Sequence, residues 1–198
     1  MKIIKIGKTT DKKTEICFDD RPPVIARRRD AAAMKLFVGQ ELTEEAWQET
    51  YREGVLSGAK ARALDLLKVR DRSEREIGER LIRDGYEGEV VKEVTDWLKD
   101  CHYLDDEQFA DDYIRWRGEG KSRREIVYKL RQKGIDISCF DREWELPDDR
   151  ATIRQLLEKR FSGREDIDEK ERNRAIAWLA RKGFAPSDIF AVLRELGN

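Results

Sequence analysis

Histidine occurs once in this chain, as His102, and cysteine three times, as Cys17, Cys101 and Cys139, with no C-x-x-C pair. That shortage removes the ligand spacings of zinc sites, and the chain also lacks a P-loop and a G-x-S-x-G turn. An odd, scattered cysteine set gives no disulfide framework and predicts a reduced, cytoplasmic protein. No apolar run approaches the length of a membrane span, and the N-terminus lacks a signal-peptide core. An excess of one charge is missing too: the net charge is −1, so no global field draws the protein to nucleic acid. One metal site could be imagined from Cys101, His102, Asp105 and Asp106, but neighbours on a helix point apart and the aspartates suit a helix start. The sequence therefore predicts no metal, no cofactor and no catalytic residues.

What the chain has is charge and period. Charged residues make up 42% and hydrophobic ones 39%, but the apolar residues are periodic, so the chain folds rather than staying disordered. The period shows best in Ser122–Gly134, SRREIVYKLRQKG. The same pattern ends at Gly85 in SEREIGERLIRDG and at Gly183 in EKERNRAIAWLARKG, with equal intervals between the glycines. Four residues before each glycine stands a leucine (Leu81, Leu130, Leu179), and directly after it a hydrophobe (Tyr86, Ile135, Phe184). Ser73 with Glu76, and Ser122 with Glu125, have capping-box spacing, and Asp168 with Glu171 is a looser equivalent. Each copy thus reads as a short helix that starts at a cap and stops at a left-handed glycine.

Taken in order, residues 1–28 alternate in Lys2–Gly7 and again in Thr14–Phe18, turn at Thr9–Lys13, and break at Pro22-Pro23 before Val24-Ile25-Ala26. This predicts a β-hairpin or three-stranded meander, separable from the helical body, with Ile4 and Ile6 on one face and Ile3 on the other. Residues 29–58 read as linking helices. Asp30 caps a short one ended by Gly39, and Thr43 caps a long one that bends or breaks at Gly54 and Gly58. Three helical units come next, at 59–104, 105–147 and 148–198, each of three helices; the third helix of the second spans about 137–145. Ser162–Asp166 reads as an extra loop. Helical spacing places in the core Leu64, Leu67, Ile77, Leu81, Tyr86, Val91, Val94 and Leu98 of the first unit. In the second it places Phe109, Tyr113, Trp116, Ile126, Leu130, Ile135 and Phe140. In the third it places Ile153, Leu157, Ile176, Leu179, Phe184, Ile189, Val192 and Leu196. Trp97 and Trp116 are read as packed aromatics rather than base-stacking ones.

The charges are segregated. Arg115, Arg117, Lys121, Arg123, Arg124, Lys129, Arg131 and Lys133 crowd the second unit, opposed in that stretch only by Glu119 and Glu125. A thinner parallel, Arg70, Arg72, Arg75, Arg80 and Arg83, lies in the first unit. Arg123 and Arg124 sit in a first helical turn, against the helix dipole, so local stability does not call for them and an anionic partner would. Acids collect instead across Asp84–Asp112, opposed there only by Lys92 and Lys99. Bands of both signs suit a protein–nucleic-acid filament better than bare DNA. The candidate filament- or nucleic-acid-binding residues are Arg70, Arg72, Arg75, Arg115, Arg117, Lys121, Arg123, Arg124, Lys129, Arg131 and Lys133.

The strings Arg70-x-Arg72-Ser73-x-x-Glu76, Leu81-x-x-x-Gly85, Leu104-Asp105-Asp106-x-x-Phe109-Ala110 and Leu130-x-x-Lys133-Gly134-Ile135, in this order and spacing, resemble the RecX family of regulatory proteins. The resemblance covers about residues 59–198, and the strands before it resemble an extension of longer members. It implies a mainly α fold of three tandem helix-turn-helix-like repeats in an elongated, curved body. It also implies a cytoplasmic monomer without enzymatic activity that binds the RecA recombinase filament on single-stranded DNA and inhibits it, in homologous recombination, DNA repair and the SOS response. The third unit departs from the pattern, lacking the Arg-x-Arg-Ser string. The family supplies no catalytic set, so the candidate residues rest on charge and position. A direct DNA-binding helix-turn-helix regulator and a helical-repeat scaffold without nucleic acid remain alternatives; Glu87 and Glu89, or Ile137 and Ser138, after the glycines argue against base reading.

Overall fold

The structure, a computed structural model, describes residues 1–10, 12–162 and 168–196. The chain divides into two compact units, Met1–Leu104 and Asp105–Asn198. The first begins with an antiparallel sheet of β1 (Ile3–Thr10), β2 (Lys13–Phe18) and β3 (Val24–Arg27), in that order. The meander is as expected, but its facing is not. A register shift between Ile3 and Lys5 leaves Ile3 buried and Ile4 exposed, while Ile6 packs on the same core as Ile3. An extra residue in the ladder inverts the parity that strict alternation would give.

The sheet is completed by helices. α1 (Arg28–Ala33) holds Asp30 inside it, 1% exposed, instead of being capped by it. α2 (Glu44–Val69) is capped by Thr43, whose hydroxyl accepts from the Ala46 N–H at 3.2 Å. It runs without interruption through Gly54 and Gly58, so of the expected bend or break the break does not occur. Those glycines serve close approach: a Cβ on Gly58 would lie 2.0 Å from Asp30 Oδ1, and one on Gly54 2.3 Å from Met34 Cγ. The packing of α1 across them offsets the roughly 1 kcal/mol that each glycine costs a helix. Phe18 meets Trp47 edge-on at 4.8 Å, so the core beneath the sheet belongs partly to α2. The sheet is accordingly not separable in its packing.

The repeats continue as α3 (Glu74–Arg83) and α4 (Gly88–Asp100), then α5 (Asp106–Arg117) and α6 (Arg123–Gln132), then α7 (Asp149–Phe161), α8 (Glu169–Arg181) and α9 (Pro186–Leu196). The C-terminal part of α2 is the first helix of repeat one. Gly85, Gly134 and Gly183 have φ of +86°, +87° and +87° at equivalent helix ends. The N–H of Tyr86, Ile135 and Phe184 returns to the carbonyl of Leu81, Leu130 and Leu179 at 3.1, 3.0 and 3.3 Å. This closing bond with its hydrophobic follower is the Schellman arrangement, and it accounts for the leucine–glycine–hydrophobe spacing. At the opposite ends Ser73 forms a full capping box with Glu76, and Ser122 and Asp168 accept from the N–H of Glu125 and Glu171.

Two expectations fail in repeat two. Its third helix is only a 3-10 turn, Ile137–Cys139. Asp136 accepts from the Ser138 N–H and hydroxyl, and Trp144 Nε1 donates to the Ile137 carbonyl, so side chains take the bonds a helix would need. Trp116 is also not core but 74% exposed. The α5 core face is Ala110 and Ile114, and Phe109 and Tyr113 are only partly covered. Similarly Ala63 and Leu66, not Leu64 and Leu67, are the buried positions of α2 in repeat one, and Leu196 is exposed. In α5 and α2 the apolar stripe is one residue out of phase, because small alanines, Ala110 and Ala63, hold the centre of the packed face. The expected loop at Ser162–Asp166 lies, beyond Ser162, outside the described residues.

Candidate nucleic-acid interface

The cations singled out in the sequence divide by what they touch. In repeat one, Arg70 pairs with Glu76 at 3.0 Å and Arg75 with Glu79 at 2.7 Å. Arg72 donates from Nε to the Leu66 carbonyl at 3.3 Å, and burial pushes its guanidinium below its ordinary value. Arg70 and Arg72 hold the junction of α2 and α3 together, Arg75 pairs along α3 itself, and the three are not gathered into a free cationic face.

Repeat two differs. Arg123 has a local role after all: its N–H donates to Asp149 Oδ1 at 2.8 Å and its Nε to the Pro147 carbonyl at 2.8 Å. The inference from its unfavourable place on the helix dipole therefore fails for Arg123, which fastens repeat two to the start of α7. Arg131 pairs with Asp136 at 3.3 Å, and that carboxyl is held below the usual range, first by the Ser138 hydroxyl. Lys121 donates to the Arg117 carbonyl, closing the end of α5. Lys133 lies over the Phe109 ring at 5.2 Å, and Lys129 over Tyr128 at 6.0 Å.

Arg115, Arg117 and Arg124 remain, exposed and without side-chain partners among the described residues. Trp116 stands between the first two. On α6, Arg124, Tyr128 and Arg131 succeed one another at i, i+4 and i+7 and share the face turned away from buried Ile126 and Leu130. Tyr128 is 58% exposed, and its hydroxyl accepts from Gln132 Nε2 at 2.8 Å. Sequence reasoning missed both aromatics as surface groups. The signal was present in their cationic neighbours, Arg115 and Arg117 for one and Arg124 and Lys129 for the other. Guanidinium groups beside exposed rings can neutralise phosphates and stack bases; they supply no bond-making chemistry.

Part of the acidic stretch is compensated in space. Asp84 pairs with Arg62 and Arg80, Glu93 with Arg52, and Asp96 with Lys92 and Lys99, which hold its carboxyl below the ordinary range. Glu107 and Asp111 both take Arg142 at 2.9 Å. Asp105 accepts from the Glu107 and Gln108 N–H groups, the helix-capping role expected of it. Among the described residues no helix is long and apolar enough to cross a membrane.

Family models of RecX match this chain in three places: the first three-helix domain at residues 59–98, the second at 105–140 and the third at 148–193. Regulatory protein RecX of Mycolicibacterium smegmatis is 33% identical over 151 residues, covering 71% of this chain and 80% of that protein. Regulatory protein RecX of Clostridium tetani is 25% identical over 199 residues, covering 98% and 92%. Among solved structures, a regulatory protein RecX shares the fold with a TM-score of 0.63 at 23% identity over 98% of both chains. RecX from Lactobacillus salivarius does so with a TM-score of 0.62 at 23% identity, over 72% of this chain and 97% of that one.

Proposed function

The chain belongs to the RecX family, and on that premise we propose that it binds the RecA filament on single-stranded DNA and lowers the recombinase and ATPase activities of that filament. It acts by occupancy, as a regulator in recombination and repair, and carries out no reaction itself. The observation that carries this reading is a set of three exposed cations with no side-chain partner among the described residues, Arg115, Arg117 and Arg124, the first two flanking the exposed Trp116 in sequence. A polyanion with accessible bases rewards both features at once.

A base-reading helix-turn-helix is disfavoured in repeat two, though α4 and α9 follow the glycines of repeats one and three as full helices. In repeat two the element after the glycine is a three-residue 3-10 turn, too short to lie along a major groove. The test is the ATPase of RecA on single-stranded DNA, titrated with the parent chain and with Arg115→Ala/Arg117→Ala/Arg124→Ala over a salt series. The parent inhibits. The variant needs more protein to do so, and its log-affinity against log-salt slope is shallower by roughly 0.7 for each phosphate it no longer neutralises. Equal inhibition by both proteins at every salt concentration would make these cations a solvated face.

A further inference from the structure

Acids and cations nearly balance over the chain, so a cleft where cations stand unanswered is a departure from the rest of the surface. Such a cleft, of about 960 Å³, opens within Met1–Leu104 between the sheet and helices α1, α2 and α3. Its cations come from two short runs, Lys12-Lys13 and Arg27-Arg28-Arg29, which β2, β3 and α1 bring together, and from Arg62 and Arg80. Arg27, Arg62 and Arg80 are engaged: Arg27 with Asp30 and the Asp84 and Gly85 carbonyls, the other two with Asp84. Asp84 is the one acid among the described lining residues.

Three of the other cations are not answered. Lys12, Lys13 and Arg28 are exposed and have no side-chain partner among the described residues. Arg29 gives Nη2 to Asp65 at 2.8 Å, yet its Nη1 is buried without an acceptor, and so is Nε of Arg80 as a hydrogen-bond donor. Apolar residues supply the floor: Ile25, 53% exposed, with exposed Ala32 and half-buried Tyr51.

We propose that this cleft is a second polyanion site, which takes a single strand of nucleic acid with phosphates on the rim formed by Lys12, Lys13, Arg28 and Arg29 and base faces on the Ile25–Tyr51 floor. Two features favour nucleic acid over an acidic peptide. Arginine forks match phosphate oxygens, and the apolar floor would go unused by carboxylate side chains but suits the flat faces of unpaired bases. The inference shares only its polyanion with the recombinase reading and does not need the recombinase.

The experiment is fluorescence anisotropy of a fluorescein-labelled oligothymidylate, without RecA, over a potassium chloride series. The full chain is compared with Lys12→Ala/Lys13→Ala/Arg28→Ala, whose replaced side chains lie on the surface. The parent binds. The triple variant, with an unchanged thermal transition, binds more weakly at low salt and loses about 2 from its log–log salt slope, roughly 0.7 for each of three phosphates. Unlabelled oligothymidylate displaces the probe, and polyglutamate of equal charge does so poorly. Failure of the parent to bind, an unchanged slope in the variant, or equal displacement by polyglutamate overturns the assignment, the last in favour of an acidic peptide. Because RecA is absent, none of these outcomes depends on the inhibitory reading.

Discussion

At the scale of single residues, three glycines and one aspartate carry most of the specific information. Gly85, Gly134 and Gly183 all lie near φ +87°, where a Cβ costs roughly 1–2 kcal/mol. Each glycine-to-alanine variant should therefore lower the urea-unfolding free energy by about that amount. Gly183→Ala should be the worse of the outer pair, since its Cβ would also meet Ser122 Oγ at 2.9 Å, against the far end of a long side chain, Arg27 Nη2, at 3.0 Å for Gly85. Equal stability of all three variants and the parent would remove the left-handed stop from the account. These glycines were legible because only glycine tolerates such a position cheaply, so the chemistry leaves a mark in one letter. Asp30 was not legible in this way, because its place before an apolar run suggests a cap. It is buried, accepts from Arg27 Nη1 at 3.0 Å and from the Tyr86 hydroxyl at 2.9 Å, and its pKa is raised, first by burial. A raised carboxyl contributes stability in full below the unfolded value of 3.8, and that contribution is gone once pH has risen through the folded value. Asp30→Asn should thus gain stability relative to the parent as pH climbs through the carboxylate range. Urea midpoints of both proteins from acid to neutral pH check this; a variant that loses ground over that window contradicts it.

At the scale of elements, helices were legible wherever a cap and a stop bracket an amphipathic run, and their observed ends fall within about a residue of expectation for α3, α6 and α8. What the sequence could not show is the identity of the neighbour. α2 keeps its glycines because α1 crosses them, and the segment after Gly134 fails as a helix because Asp136 and Trp144 satisfy its backbone from the side. Half of the candidate site was hidden for the same reason. Arg70, Arg123 and Arg131 look free in a charge run, but each finds its partner only in the folded chain, whereas the Arg75–Glu79 pair was readable from its i, i+4 spacing. Trp116 shows the opposite error, since helical spacing alone cannot tell a packed aromatic from one the neighbouring helix fails to cover. Its exposure sets a prediction. Trp116→Ala should change unfolding free energy by no more than about 0.5 kcal/mol, as exposed positions do. The same change should weaken binding to single-stranded DNA filaments by about 1–3 kcal/mol, the worth of one stacked base. A variant that melts like the parent and also inhibits RecA like the parent would leave Trp116 without a role in binding.

At the scale of the whole molecule, the described residues form four apolar cores rather than one: one under the sheet and one in each repeat. The first two share α2 and are bound together through Arg27, Asp30 and Tyr86. Removing residues 1–28 should therefore uncover Trp47 and Met34 and destabilise repeat one, instead of leaving it as it was. The cores of repeats two and three are joined by different bonds. Ser122 Oγ donates to the Lys182 carbonyl at 2.8 Å, Lys182 Nζ donates to the Gly120 carbonyl at 3.0 Å, and Arg123 reaches Pro147 and Asp149. Both sets of bonds lie within a single unit, so each unit contains what its own folding requires. The fragment 105–198 should then be helical by circular dichroism and unfold in one cooperative urea transition. Within it Ser122→Ala should cost about 2 kcal/mol, because one buried hydroxyl both caps α6 and satisfies the end of α8. A fragment that stays unfolded, or in which Ser122→Ala has no effect, would mean that repeats two and three draw their stability from Met1–Leu104 and that the chain folds as one indivisible body.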